Sequence, residues 1–63
     1  MKTIDAEPGE HIYHASLRAI EEAKKVNTFV RLVFNETKIL VYPVSFVNDI
    51  MEKYEYQRKL NWK

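Results

Sequence analysis

The stretch FVRLVFNETKILVYP, residues 29–43, limits the fold of this chain more than any other. Two runs rich in β-branched and aromatic residues flank the polar pair Asn35–Glu36, which is the pattern of a β-hairpin. A two-residue loop pairs Phe34 with Thr37, Leu32 with Ile39 and Val30 with Val41. Because strand side chains alternate, Val30, Leu32, Phe34, Ile39 and Val41 then share one face. A four-residue loop preserves that face, whereas a three-residue loop would bring Lys38 onto it and is rejected. The strands are expected at about residues 28–34 and 37–42. The other face then carries Phe29, Arg31, Val33, Lys38, Leu40 and Tyr42, and four of those six are large and apolar.

A helix is expected on each side of the hairpin. The first, about residues 7–26, has Pro8 in its first turn, acids there, and Lys24 and Lys25 in its last. Ile12, Ser16, Ala19, Ile20, Ala23 and Val26 form one stripe whose small centre lets the backbone sit close on a sheet. His11, His14, Arg18, Glu21, Glu22 and Lys25 fall opposite, and Asn27 is a natural stop. Pro43 ends the second strand, and Ser45 reads as the N-cap of a second helix at about residues 46–60. That helix has the stripe Phe46, Val47, Ile50, Met51 and Tyr54. Past Tyr54 the same face turns polar, so packing is expected to stop before the helix does. Tyr56 and Leu60 point elsewhere, beside Lys53, and Trp62 follows. The expected fold is α+β, a single αββα domain over residues 1–63. Both helices cover one face of a two-stranded antiparallel sheet, and a second copy completes or covers the sheet.

Sixty-three residues lie near the lower limit for a domain that folds alone. With 46% hydrophobic residues, 30% charged, one Gly and two Pro, the composition is that of a folded globule. The lack of cysteine excludes a disulfide framework and any Cys-ligated zinc or iron–sulfur site, and suits a reducing cytoplasm, the expected location. The first ten residues lack an apolar segment, so no signal peptide is expected, and the apolar runs are too short to cross a membrane. The net charge of +1 hides a basic end, where Lys53, Arg58, Lys59 and Lys63 stand against Glu55 alone.

No motif carries specific chemistry. His11 and His14 have metal-ligand spacing on a helix, but they lie on the polar face, no third His or Cys exists, and Glu10–His11 lacks the HExxH order. They read as part of a solvated face, with no metal and no cofactor expected. Ser16 and Ser45 are taken up by packing and capping, a phosphate loop needs more than one Gly, and Glu21 and Glu22 are adjacent and exposed. The expectation is a non-enzymatic protein that works by contact. Phe29, Arg31, Val33, Lys38, Leu40 and Tyr42 are the candidates for a homodimer contact; Tyr56, Arg58, Leu60 and Trp62 are those for a partner protein. The tail KYEYQRKLNWK interleaves cations with rings, so Lys53, Arg58, Lys59 and Lys63 also allow a nucleic-acid reading.

The run AIEEAKKVNTFVRLVFNETKILVYPVSFVNDIMEKYEYQRKL, about two-thirds of the chain, resembles small αββα proteins of tailed phages and prophages. Their pattern is an Ala-rich helix, a V-x-L-x-F-N strand, a polar turn, a second strand and a helix ending in Y-x-x-K/R-L. The resemblance implies a cytoplasmic accessory protein of an infected host, one that binds and inhibits or redirects a host protein. No residue roles transfer with it.

Overall fold

The computed structural model describes residues 2–61 and is α+β. Its elements are β1 (Thr3–Asp5), α1 (Ile12–Val26), β2 (Val30–Phe34), β3 (Thr37–Val41) and α2 (Val47–Asn61). The hairpin forms with the register of the two-residue loop, Val30 opposite Val41, Leu32 opposite Ile39 and Phe34 opposite Thr37. Its two loop residues, Asn35 and Glu36, both have positive φ, 49° and 66°. That backbone matches the twist of the flanking strands, and Asn tolerates it better than most residues.

The sheet has three strands, not two. Thr3–Asp5 pairs parallel to β2, in the order β1-β2-β3, with α1 as the crossover. Parallel neighbours need such a connection of a dozen residues or more, which α1 provides. A three-residue strand with one inward residue, Ile4, is too short to show a period, and its partner lies 28 positions away at Leu32. Ile4 is buried beside Leu32 and extends the core.

The first helix begins at Ile12 rather than near residue 7. Gly9 has φ +82°, which breaks helical geometry, and Glu10 N–H donates to the Glu7 carbonyl at 2.9 Å to close a turn. His11 is extended and caps α1: its Nδ1 accepts from Tyr13 N–H at 3.0 Å. The acids expected in the first turn therefore precede the helix. Asn27 ends it in the left-handed region, its N–H on the Ala23 carbonyl.

Both helices lie on the same side of the sheet as Val30, Leu32, Ile39 and Val41, all of them buried. The face of α1 toward the sheet is Ala15, Ser16, Ala19 and Ala23, fully buried, with Ile20 beside them. The expected stripe thus gains Ala15, while Val26, at 41% exposure, does not belong to it. Small side chains bring the helix backbone close to the strands, and the buried Ser16 Oγ has no hydrogen-bond partner among the described residues. In α2, Ile50 and Tyr54 are buried. The Tyr54 ring meets Phe34 edge-on at 5.1 Å, and its hydroxyl accepts from Asn35 Nδ2 at 3.1 Å, which ties α2 to the hairpin turn.

The start of α2 also departs from expectation. Ser45 Oγ accepts from Tyr42 N–H at 2.9 Å, and Ser45 N–H donates to the Tyr42 carbonyl, so Ser45 closes a turn. The helix begins two residues later, and Phe46 stands 71% exposed instead of joining the core stripe.

Candidate interaction surface

The face of the sheet turned away from the helices has no cover among the described residues. Phe29, Arg31 and Val33 are partly exposed there, and Lys38, Leu40 and Tyr42 are exposed, Leu40 at 42% and Tyr42 at 43%. The six residues expected on this face are together. Phe29 packs on Tyr42 with ring centroids 5.7 Å apart, and Lys53 Nζ lies 5.9 Å from the Tyr42 centroid. That tilted aromatic pair stiffens the end of the face where the chain enters β2 and leaves β3.

Two contributions to this face were not visible in the sequence. β1 adds Thr3 opposite Arg31 and Asp5 opposite Val33, so the face is three strands wide and carries an acid at one edge. The edges also differ. Arg18 Nη2 donates to the Asp5 carbonyl at 3.4 Å on the rim of β1, while its guanidinium grips Glu10 by two bonds of 2.8 and 2.9 Å. This pairing holds the Glu10 carboxyl below its usual range and pushes Arg18 above its own. Lys2 Nζ lies 2.9 Å from Glu22, and that contact likewise lowers the Glu22 carboxyl. A three-residue strand fringed by ion pairs offers little to another strand, whereas β3 has five residues and, among the described residues, no ion pair along it.

Beyond the sheet, Val44 at 82% and Phe46 at 71% are the most exposed large hydrophobic side chains among the described residues. The β3–α2 turn, closed on itself by Ser45, holds both out in solvent.

The second expected surface is the part of α2 past Tyr54. Tyr56 is 65% and Leu60 62% exposed, on the side of Lys53, and Arg58 pairs with Glu55 at 3.2 Å. Trp62 and Lys63, both named as candidates, lie outside the described residues. At 100° per residue, Lys53, Arg58 and Lys59 spread round α2 with Glu52 and Glu55 among them, so they form no single cationic stripe.

His11 and His14 are both exposed, and His11 is spent on the cap. Among the described residues no group of three or more His, Asp or Glu side chains is placed to hold a metal ion. None of their helices is long and apolar enough to cross a membrane. Compared with models of known protein families, with curated proteins and with solved structures, the chain finds no match in any of the three.

Proposed function

We propose that this chain is a small non-enzymatic binding protein that acts by protein–protein contact. The observation that carries this reading is the bare sheet face, where Phe29, Val33, Leu40 and Tyr42 form apolar surface on a molecule of 63 residues. Small proteins rarely leave such surface open unless something covers it. Self-association uses that face, and the end of α2, with Tyr56, Arg58 and Leu60, engages a second protein. Aromatic and Arg side chains are the types that dominate contact energetics. The resemblance to small phage and prophage proteins makes a host protein the favoured target, inhibited or redirected by occlusion in the cytoplasm.

The test is capture from a bacterial lysate by the immobilised chain, beside a Tyr56→Ala/Leu60→Ala variant. The expected result is a protein retained by the wild type in about 0.5 M salt, where the screening length is only a few ångströms, and lost by the variant. Retention abolished by salt or by nuclease would overturn the reading in favour of a nucleic-acid partner.

A further inference from the structure

We infer that the bare sheet face is self-complementary and seats a second copy of this chain, sheet on sheet, about a two-fold axis that runs along β2 through Val33. The inference rests on the self-association proposed above and gives it a geometry.

The register supplies the argument. Asp5 lies opposite Val33 in the parallel pair, and Lys38 lies opposite Val33 in the antiparallel pair. One row across the face therefore reads Asp5, Val33, Lys38, and the next reads Thr3, Arg31, Leu40. Strand side chains alternate, and Ile4, Leu32 and Ile39 point into the core, so all six point away from it. Asp5 and Lys38 are exposed, and neither belongs to an ion pair among the described residues. Two strand spacings, about 10 Å, separate them, with Val33 between.

A two-fold axis along β2 lays β1 of one copy over β3 of the other. Asp5 then faces Lys38 of the second copy, and symmetry makes the contact twice. The two Val33 side chains meet on the axis, with Phe29 further along it, and Leu40 lies over Thr3. Aligned sheets packed about 10 Å apart bring these side chains into contact. Arg31 also lies on the axis, and its meeting with its own copy opposes the association. The flat face is on the order of 240 Å², below the roughly 800 Å² that one side of a tight interface covers. The dimer is therefore weak, and Arg31→Leu tightens it.

The competing arrangement joins two copies edge to edge along the open rim of β3. There Asp5 sits two strands from the contact, which lets one residue separate the two geometries. Sedimentation equilibrium up to millimolar chain, with circular dichroism as the check on folding, compares the wild type with Asp5→Lys, Lys38→Asp and an equimolar mixture of the two variants. Each variant alone is expected to associate at least about tenfold more weakly, because two attractive pairs become repulsive. The mixture regains wild-type association, since lysines on one copy then face aspartates on the other. Should a reversal unfold the chain, the neutral pair Asp5→Asn and Lys38→Gln is expected to weaken association severalfold. A dimeric wild type whose Asp5 variants associate unchanged overturns this geometry and leaves self-association standing. A wild type that stays monomeric to millimolar concentration overturns both.

Discussion

The two faces of the sheet are built from the same strands and meet opposite fates. On one, Val30, Leu32, Ile39 and Val41 are essentially inaccessible beneath two helices. On the other, Val33, Leu40 and Tyr42 sit one residue away along the same backbones and remain accessible. Intrinsic preference for a strand is the same for both sets; the difference is what is laid over them. Strand formation alone therefore does not explain why the second set is apolar. A chain that needed only to fold would gain solubility from polar residues there, and the contact proposed above is the reading that accounts for the apolar ones.

The contrast can be broken most forcefully by matched truncations. Leu32→Ala should cost about 2–5 kcal/mol, because it empties a fully enclosed site. Val33→Ala in dilute solution should cost about 1 kcal/mol or less, because water already reaches part of it. Urea denaturation of both at low micromolar chain gives the comparison, and similar losses would mean that the two faces are equally covered.

A smaller effect sharpens the account of the covered face. Ser16→Ala removes a buried hydroxyl that has no partner among the described residues while leaving the packing of α1 on the sheet unchanged, and should stabilise by about 1 kcal/mol in the same assay. Loss of stability would show that the hydroxyl is satisfied and that α1 lies less close than described.

The smallest expected effect comes from the charged fringe of β1. The carboxyls of Glu10 and Glu22 are lowered from 4.5 by their bonds to Arg18 and Lys2. A lowered folded-state value means that the contribution is complete above the unfolded value and is lost as pH falls through the folded one. Thermal stability should therefore owe nothing to these pairs' titration between pH 7 and pH 5, and should fall below about 4.5. Glu10→Gln should flatten part of that fall. Both glutamates lie near the surface, so the change is modest.

The hairpin and the membership of both faces were legible because alternation over five residues, with a polar pair between, gives the same faces for a two- or a four-residue loop; the register was not, because that pattern does not choose between the two loops. The exposed ends of the candidate surface, Tyr56 and Leu60, were legible from the point where the stripe of α2 runs out at Tyr54. The third strand was not. Ile4 between Thr3 and Asp5 carries no period of its own, and its pairing is created by α1 returning the chain to the same sheet. The start of α1 was misplaced because Pro8 and Glu7 suit a first helical turn, whereas the positive φ of Gly9 is a choice between two local structures that composition leaves open. Ser45 and Phe46 show the same ambiguity: a Ser before an apolar run caps a helix or closes a turn, and here the turn takes it.

The central claim is that the bare face is a contact surface between copies of this chain, and the mass of the particle in solution tests it most directly. Sedimentation equilibrium of the wild type up to millimolar chain should show a concentration-dependent rise from 7.5 kDa toward twice that value. Leu40→Glu, which places a charge in the middle of the face, should hold the mass at 7.5 kDa throughout. A wild type fixed at the monomer mass up to millimolar chain, or a Leu40→Glu variant that dimerises as well as the wild type, would contradict the account.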